Sequence, residues 1–118
     1  MAGKTAGGKK VLIVDDEPQI RDLMKRYLVK AGYEVVGESS DGEDAIGKAS
    51  RLKPDFVLLD NEMPVLSGED AAGRIRQAAG SARIVAVSGS LTSRPAWSDA
   101  FLSKTGLAMV GELLDLVE

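Results

Sequence analysis

The chain has no cysteine and no histidine among its 118 residues. Without cysteine there is no disulfide, no thiolate metal site and no cysteine nucleophile. Without histidine there is no Ser-His-Asp triad and no histidine phosphoryl carrier, and most zinc sites are excluded. Aromatic residues are scarce, with one Trp, two Tyr and two Phe, so aliphatic side chains must fill the core. No apolar run is long enough for a signal-peptide core or a membrane span. The net charge of −3 argues against nonspecific contact with nucleic acid. A reducing, cytoplasmic setting with no membrane contact is expected.

What is present suits one globular domain with a core of its own. The first ten residues carry Lys4, Lys9 and Lys10 and no acid. Residues 1–9 are therefore expected to be a flexible basic tail, and residues 10–118 the folded domain. Gly3-Lys4-Thr5 lacks the preceding strand and earlier glycine of a phosphate-binding loop, which leaves it in the tail.

Short apolar runs alternate with helical periodicity. Val11-Leu12-Ile13-Val14 reads as a strand buried on both faces and ends at Asp15-Asp16-Glu17-Pro18. Pro18 suits the first turn of a helix. Ile20, Leu23, Met24, Tyr27 and Leu28 then form its inner face, and Gly32 stops it. Residues 34–38 form a weaker strand. Residues 41–52 form a helix with Ala45, Ile46 and Ala49 inward. Residues 55–59 form a third strand, ending at Asp60. Ser67 caps a third helix with Ala71, Ala72, Ile75 and Ala79 inward and Gly80 as its stop. Strands follow at 84–87 and 101–103. Leu107, Val110, Leu113, Leu114 and Val117 mark a last amphipathic helix. This alternation predicts a doubly wound α/β fold with a parallel sheet and helices on both faces.

Ligands of such sheets bind beyond the carboxyl ends of the strands. Polar residues collect at four of those ends: Asp15 and Asp16, then Asp60, Ser88 and Lys104. Any one of the Asp or Ser residues could be a helix cap, but Lys104 has no capping role at a strand end. Three carboxylates on one rim repel one another, and a hard divalent cation relieves that. Carboxylate oxygens and water suit Mg²⁺ better than zinc or copper. A carboxylate, a cation and an ammonium together are the parts needed for phosphoryl transfer onto the carboxylate. Asp60, alone on its strand, is the natural nucleophile.

These residues resemble the receiver domain of two-component response regulators. The matching pieces are VLIVDDEP (11–18), VLLDNEMPVLSG (57–68), VAVSG (85–89) and FLSK (101–104). The resemblance implies a flavodoxin-like five-stranded parallel sheet of order 2-1-3-4-5. It implies that Asp60 is the phosphoacceptor, that Asp16 binds Mg²⁺ directly, and that Asp15 binds it mainly through water. The backbone carbonyl of Glu62 would be a further metal ligand. Ser88 would donate its hydroxyl to the phosphoryl group, Lys104 would pair with that group, and Phe101 would be the aromatic that swings inward. Glu17 reads as a solvated acid at a helix start. The implied partners are a histidine kinase or histidine phosphotransfer protein and a downstream protein target, with no direct contact to nucleic acid. The chain would be a signalling phosphoacceptor that promotes its own phosphorylation and dephosphorylation, not a turnover enzyme.

Two departures from the family stand out. Thr105 follows Lys104 where the family carries Pro, commonly after a cis bond. A cis bond without Pro costs about 3 kcal/mol, so a trans or reshaped loop is expected. In addition, only 15 residues separate Ser88 from Lys104. Pro95 interrupts residues 91–99, which could span about 13 Å of helix. The fourth helix is therefore expected to be missing or cut to about one turn starting at Pro95. Trp97 is expected to plug the uncovered sheet rather than stand out as a partner anchor.

Two other readings compete, and a third is set aside. In a degenerate receiver the domain binds partners without being phosphorylated. A haloacid-dehalogenase-type phosphatase would place its nucleophile after the first strand, in a D-x-D arrangement. A flavodoxin-like cofactor binder would need a phosphate loop after the first strand, and none is present.

Overall fold

The computed structural model describes residues 8–117. Of the expected tail, residues 1–7, including Gly3-Lys4-Thr5, lie outside the described residues. The Gly8 N–H donates to the Gly32 carbonyl, and the Lys9 carbonyl accepts from the Glu34 N–H.

The elements run β1 (Lys10–Val14), α1 (Pro18–Lys30), β2 (Glu34–Ser39), α2 (Gly42–Leu52), β3 (Phe56–Asp60), α3 (Gly68–Ala78), β4 (Arg83–Ser88), β5 (Ala100–Ser103), a 3-10 segment (Lys104–Met109) and α4 (Val110–Val117). All five strands are parallel, in the order β2-β1-β3-β4-β5. This is the expected doubly wound sheet. No helix among the described residues is long and apolar enough to cross a membrane.

Successive side chains of a strand point to opposite faces, so each continuous apolar run feeds two cores. Val11, Ile13, Leu58, Val85 and Val87 pack under α1 and α4 with Met24, Leu28 and Leu114. Leu12, Val14, Val57, Leu59 and Ile84 pack under α2 and α3 with Ala45, Ala49, Ala71, Ala72 and Ile75. Small alanines on α2 and α3 let both helices sit close to the sheet. Pro18 occupies the first turn of α1. Asp41 accepts from the Asp44 N–H and Ser67 from the Asp70 N–H, so each of these helices starts on a side-chain cap. Gly32, at φ +94°, turns the chain out of α1.

Register aligns the strand ends. Val14 pairs with Leu59, Asp60 with Val87, and Ser88 with Ser103. The residues at or just past those ends therefore meet on one rim.

Among the described residues no helix lies between β4 and β5. A single turn remains, closed by the Ser98 N–H donating to the Pro95 carbonyl at 3.1 Å. Side chains hold this connection down. Asp99 binds Ile84 twice, through its own N–H to the Ile84 carbonyl (2.7 Å) and through its carboxylate to the Ile84 N–H (2.8 Å). Arg76 on α3 reaches the Trp97 carbonyl (3.0 Å) and the Asp99 carboxylate (3.2 Å). Trp97 is half-buried against the α2/α3 core. It fills part of the space that a helix would cover, as a plug.

The end of the chain differs from the expected single helix. Ser103 caps the Thr105 N–H (3.2 Å), which starts a 3-10 segment at Lys104. Gly106, at φ −125° and ψ 33°, leaves helical geometry before α4 begins. No cis peptide bond occurs among the described residues, so the Lys104–Thr105 bond is trans; Thr105, unlike Pro, also keeps the N–H that this cap uses.

A Cβ on Gly68 would come within 2.7 Å of the Trp97 ring, whereas one on Gly73 would meet nothing. Gly68→Ala is expected to cost about 1–3 kcal/mol by overpacking. Gly73→Ala, inside the exposed face of α3, should instead stabilise by about 0.5–1 kcal/mol. Urea denaturation of the two variants checks both signs.

Candidate functional site

Asp15 follows β1 and Asp60 ends β3, and both carboxylates are completely buried. The same local device holds each. The Glu17 N–H donates to Asp15 Oδ1 (2.9 Å), and the Glu62 N–H donates to Asp60 Oδ1 (2.9 Å). Such side-chain-to-backbone bonds across two residues are natural for Asp at a turn. They aim the second oxygens inward. Among the described residues neither Asp15 Oδ2 nor Asp60 Oδ2 accepts a hydrogen bond. Each instead faces Lys104 Nζ at 3.4 Å. Lys104 also donates to Glu17 Oε1 at 3.1 Å.

Asp16 is exposed beside this pair. Its carboxylate can bring an oxygen within 4.8 Å of oxygens from Asp15 and Asp60. A buried carboxylate oxygen without a donor is costly. Two of them, next to a third acid, make a donor set that suits a small hard cation with room left for water. The residues thus fit a divalent ion of that kind.

The charges follow from burial. Burial pushes the Asp60 carboxyl up to about 6, and the neighbouring charge of Asp15 adds to the rise; the Glu62 amide and Lys104 oppose it. Burial likewise raises Asp15. Burial alone would lower the Lys104 ammonium, but Glu17, Asp15 and Asp60 outweigh it and hold the proton on more firmly than usual. Burial would also raise Glu62, yet its hydrogen bonds to Ser88, Asn61, Gly89 and Ser90 prevail and take it down to about 2.

Ser88 is buried at the end of β4. Its hydroxyl donates to the Glu62 carboxylate. Phe101 is half-buried and lines a groove of about 310 Å³ with Met109, Leu113 and Leu116. The fold therefore gathers Asp15, Asp16, Asp60 and Lys104 directly, with Ser88 joined to the loop after Asp60, while Phe101 lies toward the groove. Two side chains were not singled out as site groups by sequence. Glu17, expected to be merely solvated, shares Lys104. Glu62, read for its backbone carbonyl and, with Ser90, as flanking the site, also binds the hydroxyl through its side chain. Strand order carries the signal for the second: an acid just after β3 must face hydroxyls just after β4.

Residues 11–102 match the response regulator receiver domain. The chain belongs to the family of response regulator receiver domains. This receiver domain is 44% identical over 81 residues to the chemotaxis protein CheY of Thermotoga maritima, a match covering 69% of the chain and 68% of that protein. It is 44% identical over 69 residues to the alkaline phosphatase synthesis transcriptional regulatory protein PhoP of Bacillus subtilis; there the match covers 58% of the chain but 28% of the relative. In three dimensions it is similar to the response regulator TrrA of Thermotoga maritima, solved in complex with Mg(2+)-BeF. That likeness has a TM-score of 0.82 and 33% identity, and covers 93% of this chain and 99% of the other.

The raised Asp60 carboxyl has a measurable consequence. In metal-free solution the folded receiver domain binds this proton more tightly than the unfolded chain does, for which the ordinary value is 3.8. Stability therefore falls as pH rises from about 4 to about 6 and then levels off. The loss is about 3 kcal/mol at most. Urea denaturation in EDTA across this range should show the fall for the wild type and a flatter profile for Asp60→Asn.

Proposed function

We propose that the receiver domain is a phosphorylation-activated switch that takes a phosphoryl group onto Asp60 with Mg²⁺. The donor is the phosphohistidine of a histidine kinase or histidine phosphotransfer protein, and the setting is cytoplasmic. The observation that carries this reading is Asp60 Oδ2, a buried carboxylate oxygen that accepts no hydrogen bond among the described residues and faces an ammonium 3.4 Å away. A purely structural carboxylate would be saturated by donors.

Asp15, Asp16, Asp60 and the Glu62 backbone carbonyl would hold the ion. When bound, Mg²⁺ supplies charge neutralisation for the attacking carboxylate and the incoming phosphate. The chain's own groups do the rest. The Glu62 amide fixes Asp60 Oδ1, which leaves Oδ2 as the nucleophile. Lys104 spans Asp15 and Asp60 and offsets charge on the transferred group. Ser88 donates its hydroxyl to a phosphoryl oxygen once modification has occurred, and Phe101 turns from its groove into the space this vacates. A downstream protein then binds the two states with different affinity, which is the only way the change can carry a signal. The domain promotes its own phosphorylation and dephosphorylation but turns over no separate substrate.

Incubation with acetyl phosphate and Mg²⁺ should add one phosphoryl group by intact-mass spectrometry. Asp60→Asn, or omission of Mg²⁺, should abolish the adduct. An unmodified wild type under these conditions assigns the chain to the phosphorylation-independent interaction module instead. Mg²⁺ at about 100 times its Kd should also raise stability by about 2.7 kcal/mol, a gain that Asp60→Asn should reduce.

A further inference from the structure

The Glu62 side chain is exposed, but its carboxylate is met on one side by a half-open cage made only of donors. Asn61 Nδ2 (2.9 Å), Ser90 Oγ (2.9 Å) and Ser88 Oγ donate to Oε2, and the Gly89 N–H donates to Oε1 at 3.1 Å. Ser88 Oγ in turn accepts the backbone N–H groups of Ser90 (3.0 Å) and Leu91 (2.9 Å). Its single proton is therefore committed to Glu62. Glu62 and Ser88 come from adjacent strand ends, since Asp60 pairs with Val87 across β3 and β4.

This cage adjoins the phosphoacceptor. A Cβ on Gly89 would meet Lys104 Cδ at 3.8 Å, and Lys104 Nζ stands 3.4 Å from Asp60 Oδ2. A donor-only cage is matched to an anion. A phosphoryl group brings three strong acceptor oxygens. The cage and the Ser88 proton can serve one anion or the other, because two negative groups so close repel.

We propose that the Glu62 side chain is a resident stand-in for the phosphoryl oxygens: it fills the Ser88–Gly89–Ser90 donor cage in the unmodified protein and is evicted when Asp60 is phosphorylated. The inference rests on Asp60 being the phosphoacceptor. With acetyl phosphate as donor, an Asp60 oxygen forms the new O–P bond, the bond from phosphorus to the acetyl oxygen breaks, and acetate leaves with the electron pair. Ser88 then transfers its hydrogen bond from Glu62 to a phosphoryl oxygen, and the Glu62 carboxylate moves out to water. Glu62 is thus a positioning residue. It holds the 88–91 turn in the unmodified arrangement and sets how far an incoming anion must outcompete it.

Fluoroberyllate with saturating Mg²⁺ is the probe, titrated calorimetrically into wild type, Glu62→Ala and Glu62→Gln. Ala vacates the cage. Gln keeps the shape but loses the charge and one acceptor, and turns an NH₂ group toward donors. Both variants should bind the probe at least about tenfold more tightly, the scale set by one competing charge-assisted hydrogen bond. In the unmodified, metal-free protein, amide exchange at Gly89 should be protected in wild type and faster in Glu62→Ala. A side chain that merely braced the turn would give the opposite sign, with weaker probe binding on truncation. Unchanged or weaker binding in both variants, or an unaffected Gly89 amide, overturns the proposal. If wild type binds no probe and takes up no phosphoryl group from acetyl phosphate, the phosphoacceptor reading itself fails and this inference fails with it. Failure of the proposal alone would instead leave wild-type binding intact.

Discussion

One ammonium faces two buried carboxylates, and much of the rim is arranged around that ratio. Asp15 and Asp60 are fully buried, and each gives one oxygen to a backbone amide and leaves one without a donor among the described residues. Lys104 alone cannot neutralise both. It stands at 3.4 Å from each rather than closing on either, and it spends a further contact on Glu17. The result is a site short of positive charge, in a part of the molecule where water cannot easily make up the difference. A packed core elsewhere must hold such an arrangement in place. The two aliphatic layers, one on each face of the sheet, supply that rigidity without contributing chemistry of their own.

The short β4–β5 connection shows how a fold can lose a covering element and keep its sheet. The Asp99 carboxylate takes the Ile84 N–H at the start of β4, while Arg76 ties both Asp99 and the Trp97 carbonyl to α3. A few charged and aromatic contacts replace part of the apolar burial of a helix. Lys104 still reaches the rim, because the last residues of β5 remain in register with β4. The path of that lysine depends on strand pairing more than on the residue that follows it.

The strand-helix alternation was legible because both faces of the sheet are covered, which makes the strands continuous apolar runs between helical periods. The cap at Ser67 and the stop at Gly32 were legible because each is a local event, whereas Asp41, read as the first residue of its helix, is the cap before it. The site was legible in outline, since Asp15, Asp16, Asp60, Ser88 and Lys104 all follow strands whose ends must share a rim. Its electrostatic detail was not. Glu17 was read as a solvated helix-start acid and is indeed exposed, but its contact with a lysine 87 residues away was not foreseen. The break at Gly106 was hidden too: the apolar spacing of Leu107 and Val110 continues through it, although the backbone does not.

Trp97 is the only indole in the chain, and its ring rests against Gly68, the first residue of α3. The segment between Asp60 and that glycine is the loop that leaves the acidic rim. A fluorophore thus stands at the far end of the loop whose near end carries the buried Asp60 carboxylate. A rearrangement of residues 61–67 that shifts Gly68 would change the packing around the indole. The short β4–β5 connection therefore puts the indole where it can report on the loop that leaves the rim.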